Sequence, residues 1–213
     1  MTMHTDRKIR LSPHMAHNLK KDPKRLAFIY ARYAFAAQMT ESCRSILEFG
    51  CSEGIGASML HGGRKKYLGL DLDTPAVEAA NKNFSTPDVR FKVGNFLELT
   101  EGFFDGVVSL DVVEHILAGE DEENFFKAIV NNLSDNGVCV LGTPNITSTP
   151  YASPESLKGH VNMFDAQRLK STMEKHFRTV FIFSMNDEIV HTGYYPMSHY
   201  LFAVGCSKLD QEA

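Results

Sequence analysis

The stretch Ile46 to Gly56, ILEFGCSEGIG, has the clearest chemical purpose in the chain. A short apolar run ends in Gly50, Gly54 and Gly56, and a helix is expected next. Glycine permits a tight turn and lets a ligand lie against the backbone. The amides that open a helix are free donors. Asp71 comes 21 residues after Gly50 (71 − 50), at the end of the next apolar run. A carboxylate there can accept both hydroxyls of a ribose. Glu48 stands just before the first glycine. A dinucleotide fingerprint requires G-x-G-x-x-G, whereas the order here is Gly50-x-x-x-Gly54-x-Gly56. An acid at the end of the first strand would repel a pyrophosphate and suit a cation, unless Glu48 only caps the strand. S-adenosylmethionine is such a ligand, with a sulfonium, an ammonium and no phosphate.

Two histidines stand where a proton acceptor would be needed, the work of an imidazole titrating near neutrality. His115 follows the expected fourth strand. His160 sits in the Pro-, Ser- and Thr-rich segment 143–163, read as a long loop. Each has an ordinary alternative: His115 as a packing residue or ligand-side contact, His160 as a hydrogen bond closing its loop. Glu114 is a weaker candidate because a residue there can face solvent. The segment from Asn186 to Pro196 is aromatic and polar; it either lines a pocket or forms an exposed loop. The cysteines Cys43, Cys51, Cys139 and Cys206 show neither a CxxC pair nor metal-ligand spacing. No paired Asp-Asn cluster follows Asp135, so no metal is expected.

The elements that must hold these groups alternate between strand and helix. Short apolar runs bounded by turn signals suit strands buried on both faces. They occur at Ser45–Phe49, Lys66–Leu70, Val89–Val93, Phe104–Leu110 and Val138–Leu141. Asp22-Pro23 opens a helix carrying Leu26, Ile29, Tyr30 and Tyr33 on one face. Thr74-Pro75 caps a second. A third carries Phe125, Phe126, Ile129 and Val130 behind an acidic first turn, Glu120 to Glu123. Asp165 caps a fourth. Two further β-rich stretches, Thr179–Met185 and His199–Cys206, are expected to pair antiparallel at one sheet edge. The pattern predicts an α/β three-layer sandwich, Rossmann-like, with a mostly parallel sheet of about seven strands.

Composition narrows the function. The chain has 213 residues, 43% of them hydrophobic, with a net charge of 22 − 26 = −4. That fits one globular domain, 1–213, and supplies no basic field for nucleic acid. No apolar run reaches the roughly 18 residues of a membrane span, and MTMHTDRKIR has no secretory h-region. A cytoplasmic, reduced setting is the expectation. The first 25 residues are locally basic (Arg7, Lys8, Arg10, Lys20, Lys21, Lys24, Arg25), and this is either a solvated arm or, with the helix to residue 40, a basic and helical lid (1–40) that attracts an anionic substrate.

With these residues in view, the chain resembles the class I S-adenosylmethionine-dependent methyltransferases over about residues 45–183. ILEFGCSEG is similar to the glycine-rich first motif, YLGLDLD to the second, and VGNFLEL to the adenine-binding motif. FDGVVSLDVVEHI and GVCVLGTPN are similar to the fourth- and fifth-strand motifs. The D-V-x-E-H sequence most resembles the branch that includes ubiquinone-biosynthesis O-methyltransferases and other small-molecule enzymes. Ser109-Leu110-Asp111-Val112 stands where amino-methylating DNA enzymes carry Asn/Asp-Pro-Pro-aromatic.

The resemblance implies site roles. Gly50, with Cys51, Ser52 and Gly54, approaches the methionine portion of the cofactor. Glu48 belongs to the same motif. Asp71 holds the ribose diol, Leu72 packs near the adenine, and Asn95 and Phe96 frame its edge and face. Leu72 and Phe96 have core positions as their alternative. Asp111 serves the methionine and substrate side. Ser52 replaces a glycine of the family, which fits if its backbone is not left-handed. The segment 143–164 is the substrate loop. The expected function is methyl transfer from S-adenosylmethionine to a small-molecule oxygen, with an anionic or sugar-linked acceptor as one option. Its rivals are nitrogen methylation, a non-catalytic cofactor-binding protein, and a nicotinamide oxidoreductase, which the glycine spacing disfavours.

Overall fold

The structure is a computed structural model and describes residues 16, 20, 21 and 24–209. Asp22-Pro23, Arg7, Lys8 and Arg10 lie outside the described residues. Eight strands form one sheet: β1 (Ser45–Phe49), β2 (Lys66–Asp71), β3 (Val89–Val93), β4 (Phe104–Leu110), β5 (Leu133–Pro144), β6 (Phe177–Asn186), β7 (Ile189–His191) and β8 (Tyr200–Lys208). Their order is β3-β2-β1-β4-β5-β8-β6-β7. The first five pair in parallel, while β8 runs antiparallel to both β5 and β6, and β7 antiparallel to β6. The helices are α1 (Lys24–Met39), α2 (Ala57–His61), α3 (Thr74–Phe84), α4 (Glu120–Asn131), α5 (Pro154–Gly159) and α6 (Ala166–Met173).

Successive strand residues point to opposite faces, and both faces are buried. Ile46 of β1 joins a core under α1, α2 and α3, with Phe35, Leu60, Val77 and Phe91. Leu47 and Phe49 join the other core under α4 and α6, with Phe125, Ile129 and Leu169. The three-layer sandwich follows from this double burial, which is also why these strands read as unbroken apolar runs.

Several local expectations are displaced, each for a physical reason. The sheet has eight strands, because three residues of the 186–196 connector fold back as β7. The edge is therefore β7, and β8 lies inside the sheet between β5 and β6. The inward face of α1 carries Phe28, Arg32, Phe35 and Ala36 together with the expected Tyr33, while Tyr30 is 47% exposed. The true stripe is hidden because a charged residue, Arg32, interrupts it. Asp73, not Thr74, caps α3, its side chain accepting from Ala76 N. Segment 143–163 is not irregular throughout. It holds a 3-10 turn, Ile146–Tyr151, and α5, both too short to show a period. Asp165 does cap α6, accepting from Arg168 N at 2.7 Å.

Candidate active site

Strand order reverses between β1 and β4, and doubly wound sheets bind ligands outside the carboxyl ends at such a point. Gly50 ends β1 with φ +79°, and Asp111 follows β4 with φ +58°. The two turns pack together: a Cβ on Gly50 would stand 2.2 Å from Val112 Cγ2. Gly56 is required for another reason. Its Cβ would lie 1.9 Å from the Tyr33 ring, so α1 closes over the turn only because position 56 lacks a side chain.

Asp71 ends β2 beside this turn. Its Oδ2 accepts from Ser52 N at 2.8 Å and its Oδ1 from Asp73 N at 2.9 Å. A carboxylate has about four lone-pair sites, so each oxygen can still receive a ribose hydroxyl. Leu72 is 62% exposed, an apolar side chain left uncovered at the rim and no part of the core. Asn95 is fixed in a local turn, with Oδ1 accepting from Leu97 N at 3.1 Å and Nδ2 donating to Glu98 at 2.7 Å. The ribose and adenine end of the site fits S-adenosylmethionine.

Other expected contacts are corrected. Ser52 is left-handed, at φ +46°, a conformation that costs a residue with a Cβ about 1–2 kcal/mol. Phe96 is only 4% exposed. It stacks on Phe49 at 4.7 Å and meets Phe125 edge-on, so both of its surroundings are core and it offers no face to an adenine. The Cys51 side chain is buried against Gly69, leaving only its backbone at the turn. Glu48 is fully buried and accepts hydroxyl protons from Tyr33, at 2.7 Å, and from Tyr67. Burial lifts its pKa to about 7. The two tyrosines, not a cationic ligand, satisfy this acid, and it ties α1 to the sheet.

Asp111 is engaged from the side. Arg32 of α1 donates to both of its carboxylate oxygens, at 2.9 and 2.7 Å, and lies over the Tyr200 ring. Beyond this pair lie two cavities of ≈540 and ≈400 Å³, which share Phe28, Arg32, Pro144, Ser156 and His160 in their walls. Glu114 and His115 line the smaller one.

Glu114 is buried, contrary to the solvent-facing expectation. It sits on a single 3-10 turn, Val113–His115, whose following residues leave it facing inward. Thr143 Oγ1 donates to its Oε2 at 3.0 Å, and its Oε1 has no hydrogen-bond partner. Burial and the nearby Asp111 carboxylate raise its pKa to about 8. His115 and His160 meet edge to face with ring centres 5.0 Å apart. Burial, with His115 beside it, lowers the His160 pKa from its ordinary value. The fold thus unites both expected histidines and adds Glu114 and Arg32. A charged residue four positions after Phe28 and three before Phe35, inside a helix stripe, was the available signal for Arg32.

Residues 47–141 match the family model described as a methyltransferase domain. A probable S-adenosylmethionine-dependent methyltransferase of Mycolicibacterium smegmatis is 31% identical over 134 residues, covering 62% of this chain and 50% of that protein. A ubiquinone biosynthesis O-methyltransferase of Rickettsia typhi is 26% identical over 112 residues, covering 50% of this chain and 43% of its own length. The chain spans about half the length of the curated relatives it matches or less. Among solved structures, the N-methyltransferase NodS of Bradyrhizobium japonicum, in complex with S-adenosyl-L-homocysteine, superposes with a TM-score of 0.67. It is 17% identical and covers 89% of this chain and 90% of its own. Over the glycine turn, Asp71 and the fourth strand the chain is thus similar in sequence to S-adenosylmethionine-dependent methyltransferases, and it shares the fold of the solved methyltransferase.

Proposed function

We propose that the protein transfers the methyl group of S-adenosylmethionine to a hydroxyl oxygen of a small molecule. The observation that carries this reading is the adjacency of two sites at one switch point. The Gly50 turn packs against Val112, next to Asp111, and Asp111 itself lines the cavity walled by Glu114, His115 and His160. When bound, S-adenosylmethionine supplies an electrophilic sulfonium methyl group. Asp71 holds the ribose hydroxyls, Leu72 covers an adenine face and Asn95 borders its edge. Phe28, Tyr151, Leu157 and Met163 of the larger cavity give apolar contact to the acceptor's body. Arg25 lines the smaller cavity, where an anionic substituent would meet it. Glu114, His115 and His160 hold the reacting hydroxyl, and an imidazole of the histidine pair receives its proton. Holding acceptor and methyl in line is itself worth several orders of magnitude in rate.

In this reading the chain works as a single domain, with α1 and residues 143–164 as walls that exclude water. A cytoplasmic setting suits its four free cysteines. Among the described residues no helix is long and apolar enough to cross a membrane. The test is calorimetric titration with S-adenosylhomocysteine, with NAD as control, followed by a panel of hydroxylated acceptors. Binding of the thioether that Asp71→Ala abolishes, and turnover that His160→Ala depresses, support the reading. Binding of NAD alone, or thioether binding with no turnover on any acceptor, counts against it.

A further inference from the structure

A cavity of ≈720 Å³ lies beside β6. Among the described residues it shares no wall residue with the two active-site cavities. Val180 and Ile182 of β6, with Tyr195 and Pro196, give it apolar walls. Asn145 borders it and is 1% exposed. Asn145 Nδ2 donates to the carbonyls of Tyr195 and Ser198, each at 2.9 Å. Carbonyls only accept, so the amide cannot be turned round and Oδ1 is fixed as an acceptor. Among the described residues no donor meets that buried oxygen, a costly arrangement unless a ligand supplies one.

Charge at the rim is unequal. Asp165 lines the cavity but caps α6, accepting from Arg168 N, so the helix N-terminus offsets its charge. Lys170 pairs with Glu174 at 3.6 Å, both side chains nearly half exposed, and such pairs are weak. Lys170 is therefore open to an anion. Along β6, Tyr195 OH donates to the Ile182 carbonyl at 3.3 Å, and β7 pairs with Ser184 to Asn186. The outer edge of β6 is stopped there, so the space ends as a pocket and not as a running edge for an extended peptide. Its size and its few polar groups in apolar walls suit a small molecule.

We propose that this cavity is a second ligand site, taking a small organic anion with an apolar body and an N–H or O–H donor. The donor meets Asn145 Oδ1, the body lies on Val180, Ile182 and Pro196, and the anion faces Lys170. The 3-10 turn Ile146–Tyr151 divides this cavity from the larger active-site cavity, with Thr147 lining one and Ser148 and Thr149 the other. An occupant thus stiffens a wall of the acceptor cavity without entering it, which makes the site regulatory. That role rests on the methyl-transfer reading; the binding does not.

The test uses 8-anilinonaphthalene-1-sulfonate, which carries a sulfonate, two apolar ring systems and an N–H, and brightens on leaving water. Titrated into the full chain, it should fill a saturable site. Lys170→Glu should weaken that site by about 5–10-fold. The N-methylated probe, which lacks the donor, should bind about 5–10-fold more weakly. Tyr151→Ala, in the acceptor cavity, should leave the affinity unchanged, and thermal unfolding checks that each variant folds. Amide exchange at Ser148 and Ala152 should slow when the probe is bound. Equal affinity in folded Lys170→Glu, or for the N-methylated probe, would overturn the site, and unaltered exchange would overturn its regulatory role. Dimers in sedimentation that abolish probe binding would give the cavity to a second copy of the chain and overturn the proposal. Titration with S-adenosylhomocysteine in parallel separates the two ideas. Thioether binding with no Lys170-sensitive probe site sinks the second site alone, and the converse sinks the methyl-transfer reading alone.

Discussion

Arg32 donates one guanidinium nitrogen to both carboxylate oxygens of Asp111, and its guanidinium carbon lies 3.9 Å from the centre of the Tyr200 ring. One side chain thereby links α1, the end of the fourth strand and the antiparallel strand β8. It also forms part of the wall of both cavities. Asp111 accepts its left-handed backbone while held by this pair. Arg32→Ala should lower the unfolding free energy by about 1–3 kcal/mol, the pair being only partly buried, and should depress turnover further than Arg32→Lys. Lysine keeps the charge but loses the planar stack on Tyr200. Denaturant melts of the two variants measure this, and equal stability of Arg32→Ala and the parent would show that the pair does not anchor α1.

Glu48 predicts a pH profile. Burial raises its folded pKa to about 7 from an ordinary 4.5. The folded state therefore holds a proton that the unfolded state releases. The stability it contributes is full below about pH 4.5, falls as pH rises to about 7, and is flat beyond. The slope in that window is about 1.4 kcal/mol per pH unit, or about 3 kcal/mol in all. Glu48→Gln should flatten this segment of the stability curve and be the more stable form at pH 8. A parent whose stability does not change between pH 5 and 7 would refute the assignment.

Leu72 and Phe96, both expected near an adenine, should behave oppositely. Phe96→Ala empties a core position between Phe49 and Phe125 and should cost about 3–5 kcal/mol of stability. Leu72→Ala should change stability by no more than about 0.5 kcal/mol while weakening S-adenosylhomocysteine several-fold by calorimetry. If Phe96→Ala keeps full stability and loses the thioether, its core placement is wrong.

Ser52→Gly relieves a left-handed residue at φ +46°. The backbone gain of about 1–2 kcal/mol is partly offset by glycine's greater unfolded-state freedom. A net gain of about 0.5–1 kcal/mol is expected, seen as a rise of about 1–4 °C in Tm for a chain of this size. A fall in Tm would mean that the serine hydroxyl contributes more than its backbone strain removes.

Much of the sheet was legible because its strands are buried on both sides. The runs at Ser45–Phe49 and Phe104–Leu110 coincide with β1 and β4, whose two faces are largely buried, while Val89–Val93 coincides with β3 by alternation, exposed Arg90 and Lys92 standing between buried Val89 and Phe91 and exposed Val93. β7 was not legible: three residues cannot show a period, and it exists only because β6 offers an edge. The face of α1 was legible in part, Tyr33 facing inward as expected, while the rest of its inner stripe contains an arginine that is tolerable only once Asp111 is opposite.

The sequence by itself determined the alternating α/β order, the glycine turn and the acid at the end of β2. All of these depend on neighbours within a few residues or on one βαβ unit. Tertiary structure alone decided which polar residues reach the cleft. Glu48 and Phe96 sit in motifs that suggest ligand contact, yet Tyr33, Tyr67, Phe49 and Phe125 surround them. Glu114 looked free to face water, yet the backbone bonds from Val161 and Asn162 bring His160 beside it and close it in. Burial and pairing are set by segments distant in the chain, so local patterns place a residue on an element but not the neighbours that fix its charge and its use.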